Sequence, residues 1–239
     1  MELKDILKEG AQGLNIEITD AQINQLIKYK DILLEWNQKM NLTAIEEEKD
    51  VMIKHFLDSL SCIQSKYLKR EGKMIDVGTG AGFPGVPLKI ALPGIELTLL
   101  DSLRKRISFL EEVCAETKLG QVDFVHGRAE DIGQSKDYRE KYDYAVSRAV
   151  AALNVLVEYC LPFVKVGGYF ICQKGPQIIE ELPDAEKAIK VLGGEVVEQI
   201  SVDLPFSDIT HHILVIKKIK QTPSKYPRKA GKPSKEPIK

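Results

Sequence analysis

The residues best suited to chemistry stand together at 76–85, Asp76-Val77-Gly78-Thr79-Gly80-Ala81-Gly82-Phe83-Pro84-Gly85, directly after a short apolar run. Glycines at a strand-to-helix turn accept positive φ and let a ligand approach the backbone with no Cβ in its way. Their spacing narrows the ligand. A dinucleotide turn reads G-x-G-x-x-G, whereas the residue three after Gly80 is Phe83, so the order here is D-x-G-x-G-x-G. No Gly-Lys-Ser/Thr follows, which excludes a P-loop. An acid at Asp76, two residues before Gly78, would repel a pyrophosphate but suits a cation such as the amino end of S-adenosylmethionine. The plain alternative is a tight turn that binds nothing.

Two further loops bear on that choice. The run 96–100 ends at Asp101, 25 residues after Asp76, near the distance at which nucleotide-binding α/β folds place an acid against ribose hydroxyls. Asp101 also suits the N-terminus of a helix beginning near Arg104, and the two roles are compatible. The run 122–126 ends before Gly127-Arg128-Ala129-Glu130-Asp131, where an adenine would lie over the sheet edge. Loops at the carboxyl ends of three successive strands form one crevice.

The elements that must position these loops are legible from periodicity. After Lys73, short apolar runs alternate with helical stretches, the mark of a parallel sheet covered on both faces. The predicted strands are 74–77, 96–100, 122–126, 142–146, 169–173, 195–201 and 212–216, with helices at 86–92, 104–118, 155–164 and 178–192. The last two strands have little between them and close the sheet as an antiparallel hairpin. That ending separates methyltransferase-type sheets from dinucleotide-binding ones. The first ~70 residues read as helical from their three- and four-residue apolar spacing. Thr19 and Asp20 offer N-caps for a helix with the stripe Ile23, Leu26, Ile27, Ile32, Leu33 and Trp36. A further helix from about Asp50 would bury Val51, Ile53, Phe56, Leu57 and Leu60.

Five segments resemble one family: 76–89 (DVGTGAGFPGVPLK), 100–110 (LDSLRKRISFL), 36–45 (WNQKMNLTAI), 55–60 (HFLDSL) and 226–238 (YPRKAGKPSKEPI). Together they resemble the bacterial small-subunit ribosomal RNA guanine-N7 methyltransferases, also called glucose-inhibited division protein B. The resemblance implies an α/β class I S-adenosylmethionine-dependent fold with a Rossmann-like seven-stranded sheet and an N-terminal helical extension. It implies S-adenosylmethionine as cofactor and one guanine in the decoding-region loop of 16S RNA as substrate. By position it assigns Gly78, Phe83, Ala129, Glu130 and Arg148 to the cofactor, with Asp101 and Ser102 at the ribose. Asp76, Gly80 and Gly82 complete the cofactor set from the turn itself. Phe83 is expected to pack on the cofactor, and Ala129 and Glu130 to hold the adenine through amide and carboxylate.

Guanine N7 carries an in-plane lone pair and no proton, so methylating it demands placement rather than a general base. No catalytic side chain is therefore assigned, with Arg148 and His55 the nearest candidates. The Asn-Pro-Pro-Tyr type of motif common in amine methyltransferases is missing after the fourth strand, where Val146-Ser147-Arg148-Ala149-Val150 stands instead. His55 would share a helix face with Ser59 and lie a turn from Asp58, which fits a structural histidine as well as a substrate contact.

Composition sets the remaining bounds. The 239 residues carry 34 Lys plus Arg against 35 Asp plus Glu, a net of −1 that by itself indicates no polyanionic partner. The sum conceals an asymmetry: residues 217–239 carry +8 and the remainder −9. Four prolines among those lysines, Pro223, Pro227, Pro233 and Pro237, predict a mobile arm suited to RNA phosphates. Arg228 and Lys229 in the arm, Arg104, Lys105 and Arg106 after Asp101, and Lys174 after the fifth strand are the candidate RNA contacts. Asn37, Lys39 and Asn41 serve equally as a substrate-facing turn or a plain connection. The expected division is 1–70 helical extension, 71–219 methyltransferase domain and 220–239 basic tail. No run reaches the ~18 apolar residues of a membrane span. The cysteines (Cys62, Cys114, Cys160 and Cys172) are too dispersed for a metal site and read as reduced thiols. A monomeric cytoplasmic enzyme is expected, without a metal. The alternatives are a cofactor-binding ribosome assembly factor without turnover, or a methyltransferase acting on a protein or small molecule.

Overall fold

The computed structural model describes residues 1–148 and 151–239; Ala149 and Val150, beside the fourth strand, lie outside the described residues. Chain order begins with α1 (Leu3–Gly13) and α2 (Asp20–Asn37). A mixed helical segment follows, in which α3 (Glu48–Asp50) runs into a π-helix (Val51–Leu57), α4 (Asp58–Leu60) and a 3-10 turn (Ser61–Gln64). Then come β1 (Glu71–Val77), α5 (Gly85–Ala91), β2 (Gly94–Asp101), α6 (Arg104–Glu116), β3 (Val122–His126), α7 (Ala129–Ile132) and β4 (Tyr142–Arg148). The chain ends with α8 (Leu153–Cys160), a 3-10 turn (Leu161–Phe163), β5 (Val164–Lys174), α9 (Ile178–Val191), β6 (Gly194–Asp203), β7 (Thr210–Lys218) and α10 (Lys232–Lys235).

The seven strands pair in the order β3-β2-β1-β4-β5-β7-β6. All neighbours are parallel except β7, which runs antiparallel to both β5 and β6. The predicted terminal hairpin is therefore present, with its second strand inserted inside its first. Order reverses between β1 and β4, so the loops after β1, β2 and β3 open on one side of a switch point.

Alternation along the strands separates two cores. Met74, Leu97, Leu99, Val146, Ile213 and Val215 face α1, α2, the mixed helix, α5 and α6. Ile75, Leu100, Ala145, Phe170, Leu214 and Ile216 face α8 and α9. The N-terminal helices are thus one of the two layers that cover the sheet, sharing a single core with α5 and α6. In α2, Thr19 closes a capping box with Gln22, and the buried residues are Ile23, Leu26, Tyr29, Lys30, Ile32 and Leu33. Ile27 and Trp36, placed in the stripe by periodicity, are half-buried, and Tyr29 takes the central place.

The arm departs from expectation. Residues 220–239 pack on the α8–α9 side, where Tyr226 and Ile238 join the second core. Arg228 donates to both oxygens of buried Glu158, from Nε at 2.9 and 3.1 Å and from Nη2 at 2.6 Å, and its backbone N–H donates to the same carboxylate at 2.8 Å. Arg139 donates to the carbonyls of Thr222 and Tyr226, each at 2.7 Å, and Gln134 to that of Pro227 at 2.8 Å. Lys218 is fully buried, donates to Leu161 O at 2.6 Å and lies 3.2 Å from Glu140. Apart from the single turn of α10, the arm has no regular structure, but the body's donors satisfy its carbonyls, so it is fixed over most of its length without being a helix or strand.

Glu158→Ala is expected to free the arm, at a cost of about 3 kcal/mol for breaking a buried pair. Brief trypsin digestion should then cut after Lys220, Lys225 and Lys229 faster than in the native protein, with the body still intact.

Candidate functional site

The glycine turn is closed by side chains from three other elements. Gly78 and Thr79 donate their N–H groups to Leu100 O, at 2.9 and 3.1 Å. Gly80 N–H donates to Asp101 Oδ2 at 2.9 Å, and Gly85 N–H to Asp76 Oδ2 at 2.8 Å, which also accepts from Thr79 Oγ1 at 2.8 Å. Tyr29 Oη donates to Ala81 O from α2. Gly78, Gly80 and Gly82 all take positive φ, at 69°, 60° and 98°. A Cβ at Gly82 would fall 2.5 Å from Tyr29 Oη, so that glycine serves close packing. One at Gly80 would meet nothing nearer than 4.0 Å, so there the conformation alone requires glycine.

Beside the turn lies a cleft of about 220 Å³ whose lining includes Gly78, Asp101, Ser102, Ala129, Glu130 and Tyr159. Asp101 also accepts from Leu103 N–H at 2.9 Å through Oδ1, and Arg106 lies 3.4 Å from its Oδ2. Oδ2 is thus doubly engaged, by Gly80 and Arg106, while Oδ1 can still accept a further bond, as a ribose hydroxyl requires. Asp76 is fully buried, its Oδ1 has no partner among the described residues, and burial holds its carboxyl up at about 7. An acceptor left over inside a glycine turn, next to a cleft walled by a second carboxylate, fits a cationic nucleoside such as S-adenosylmethionine.

Phe83 and Arg148 stand outside the lining of that cleft, with Arg148 near enough for its positive charge to offset part of the rise at Asp76. Phe83 is buried, stacked on His55 with centroids 4.3 Å apart and on Tyr29 at 5.6 Å, while the Arg148 guanidinium lies 4.7 Å from its centroid. Its ring is thus used by protein groups rather than lining the cleft. Arg148, at the end of β4, turns toward the mixed helix: Nη1 donates to Asp58 Oδ2 at 2.9 Å and to Lys54 O at 3.2 Å, and Nη2 to His55 Nδ1 at 3.0 Å. Burial, reinforced by the guanidinium, holds His55 down at about 3, so the ring is neutral. With Nδ1 accepting from Arg148, the ring proton sits on Nε2 and is donated to Thr43 Oγ1 at 2.8 Å.

Residues 22–208 match the family model GidB, described as rRNA small subunit methyltransferase G. The ribosomal RNA small subunit methyltransferase G of Alkaliphilus metalliredigens is 71% identical over 239 residues, the whole of both chains. The chain belongs to the rRNA small subunit methyltransferase G family. The protein of that name from Acetivibrio thermocellus is 53% identical over 241 residues, covering 100% of this chain and 98% of its own. Among solved structures, the fibrillarin pre-rRNA processing protein of Methanococcus jannaschii superposes with a TM-score of 0.53 at 19% identity, over 69% of this chain and 74% of that one. TrmN from Thermus thermophilus gives 0.53 at 14% identity over 68% and 48%. At those identities the likeness is one of fold, that of the class I methyltransferases.

Within this rRNA small subunit methyltransferase G fold, the basic residues singled out from sequence divide. Arg104 and Lys105 are exposed along a groove with Trp36 and Lys39, and Lys229 is exposed on the arm. Arg106 lies in the cleft against Asp101. Two expectations need correction. Lys174 is nearly buried, donating to Ala151 O at 2.7 Å and to both Glu181 oxygens, at 2.9 and 2.6 Å, and Arg228 is committed to Glu158. Charges already neutralised by a carboxylate bring little to a phosphate. Among the described residues no group of three or more His, Cys, Asp or Glu could hold a metal ion, and all four cysteines are buried and free.

Sequence reasoning gave no site role to Gln173, Tyr29, Tyr159 or His211, and named Asp58 only as a neighbour of His55. Asp58 carried a usable signal, because an acid between Leu57 and Leu60 in an otherwise apolar run must be buried and therefore paired. The others carried none, since their partners lie far off in sequence. Tyr29→Phe would leave Ala81 O buried without its donor. A stability loss of ~1–3 kcal/mol in urea unfolding is expected, with faster amide hydrogen exchange confined to residues 78–86.

Proposed function

We propose that this protein transfers the methyl group of S-adenosylmethionine to N7 of a guanine in 16S ribosomal RNA. The observation that carries this is full-length identity of 71% to a ribosomal RNA small subunit methyltransferase G, joined to a crevice at the switch point with a free acceptor at Asp76 and a carboxylate at Asp101. In this reading Gly78 and Gly80 admit the cofactor backbone-close, Asp76 Oδ1 accepts from its amino group, and Asp101 with Ser102 accepts from its ribose. Gly82 and Phe83 act indirectly, by seating the turn against Tyr29 and His55. Ala129 and Glu130 border the adenine. Glu130 Oε1 already accepts from Gly231 N–H at 2.9 Å, which leaves Oε2 for an amine.

When bound, the cofactor supplies an electrophilic methyl on a sulfonium. The chain's own contribution is orientation and charge balance. His55 has both nitrogens engaged and is neutral, so it removes no proton, and N7 has none to give. Positive charge grows on the guanine during transfer. Arg148 does not oppose it, because Asp58 neutralises the guanidinium at 2.9 Å. Arg104, Lys105 and Lys229, exposed and free of close carboxylates, are the proposed phosphate contacts, in place of Lys174 and Arg228. The division into a helical layer 1–70, a catalytic unit 71–219 and an arm 220–239 stands as a functional one. The same reading has the protein act as a cytoplasmic monomer, and its four free thiols suit a reducing compartment. No helix among the described residues is long and apolar enough to cross a membrane.

The test digests small-subunit RNA from cells lacking this protein, before and after incubation with the purified protein and labelled cofactor. 7-Methylguanosine should be absent before and appear after at about one per RNA, as single-site recognition implies; methylation of another atom, or binding without transfer, would reject the proposal. Cofactor binding should also depend on pH. Asp76 must be ionised to meet a cation, so affinity is expected to rise between about pH 5.5 and 7, with proton release on binding. The ligand-free protein follows the opposite sign. Its Asp76 holds a proton up to about 7 while the unfolded carboxyl loses it near 3.8, so this group's contribution to stability falls as pH rises through that window. Calorimetry in buffers of different ionisation enthalpy measures the first, and urea unfolding at the two pH values the second.

A further inference from the structure

Four segments converge on one carboxylate outside the cofactor cleft. Asp58, on the mixed helix, is 1% exposed. Its Oδ2 accepts from Arg148 of β4 at 2.9 Å. Its Oδ1 accepts from Gln173 Nε2 of β5 at 2.8 Å and from His211 Nδ1 of β7 at 2.5 Å, and its backbone carbonyl accepts from the same Gln173 amide at 2.5 Å. The π-helical stretch just before it brings His55 to the other nitrogen of the guanidinium. Because β7 runs antiparallel, its first residues stand beside the last residues of β5, whose end is paired in turn with that of β4, at the edge of the sheet where the crevice opens.

A buried ion pair of this kind seldom stabilises a fold more than apolar side chains of the same size would. Its observable effect here is geometric. Three of the five Arg148 N–H groups are taken by Asp58, Lys54 O and His55, and the guanidinium lies over Phe83, so it can neither swing nor tilt. Two N–H groups remain without a protein partner among the described residues. Asp58 is fixed in turn by Gln173 and His211, and the hydrogen bond that His211 donates to Asp58 raises the imidazole above its ordinary range.

We infer that Asp58, held by Gln173 and His211, is a positioning residue that fixes Arg148 so that its two free N–H groups meet the carboxylate of the methyl donor. The inference rests on the proposed reading that Asp76 receives the donor's amino group, beside which the Arg148 guanidinium lies close enough to act on that carboxyl. The effect belongs to donor binding rather than to the transfer step, since the guanidinium makes the same contact in the ground and transition states.

The full-length protein and the variants Asp58→Asn, Arg148→Lys, the double variant, His211→Gln and His211→Phe are compared for S-adenosylmethionine affinity by calorimetry, for RNA methylation kinetics and for melting temperature. Asp58→Asn should weaken donor affinity and raise its KM about tenfold, the worth of one charge-assisted hydrogen bond, with kcat at saturating donor within about threefold. In the Arg148→Lys background the same change should add less than about twofold, because both act through one contact. His211→Gln, which keeps a donor to Asp58, should behave as the native protein, and His211→Phe should resemble Asp58→Asn. If Asp58→Asn does not fold, the His211 pair decides alone. Unchanged donor affinity in folded Asp58→Asn, multiplicative effects in the double variant, or equal behaviour of the two His211 variants would overturn the inference. Should the native protein itself fail to bind the donor, the cofactor reading falls first and this inference with it.

Discussion

A turn with three positive-φ glycines exposes more backbone N–H groups than its own carbonyls can receive, and the whole crevice depends on where those N–H groups go. Two go to Leu100 O, one to Asp101 and one to Asp76. β1 and β2 are therefore joined across their carboxyl ends as well as along their ladder. Each of those acids is almost fully desolvated, an arrangement that is tolerable only because backbone donors surround it. The remaining lone pairs, Asp76 Oδ1 above all, are what a ligand finds.

The N-terminal helices complete that arrangement from the opposite side. Tyr29 holds the Ala81 carbonyl, and the stack of Tyr29, Phe83 and His55 carries the turn across to Arg148. The layer contributed by 1–70 is consequently part of the site's construction. A class I sheet without it would keep its strands and lose the groups that lock the first turn. This also accounts for Phe83 facing inward: its flat faces are used to transmit position between α2, the π-helix and β4.

Much of this architecture was legible because it rests on local rules. Seven strands and the longer helices between them follow from short apolar runs that alternate with helical stretches, and the antiparallel ending from the short link between the last two strands. Loop position alone brought the glycine turn, Asp101 and the 127–131 loop to one crevice, and the family resemblance singled out Gly78, Ser102, Ala129 and Glu130 within it, all of which line the cleft. What stayed hidden is non-local. The π-helical geometry of 51–57 breaks no sequence rule, and the partners of Asp58 lie 90, 115 and 153 residues away. The arm misled for a related reason. Proline and lysine content measures the scarcity of regular structure, and a segment with only one helical turn can still be fixed when Arg139, Gln134 and Glu158 bind its backbone and its arginine. Lys174 and Arg228 looked available because their carboxylates, Glu181 and Glu158, come from elements that charge counting along the chain does not relate to them.

The docking of residues 220–239 sets an order on how the protein matures. Ile238 and Tyr226 seal the second core, and Glu158 and Glu130 wait for Arg228 and Gly231, so residues made late supply the partners of groups made long before. While 220–239 is still inside a translating ribosome, the sheet can assemble but one wall near the crevice stays open. A chain cut before residue 220 would be held in that earlier condition, with a well-ordered sheet and an unfinished neighbour to its adenine-side loop.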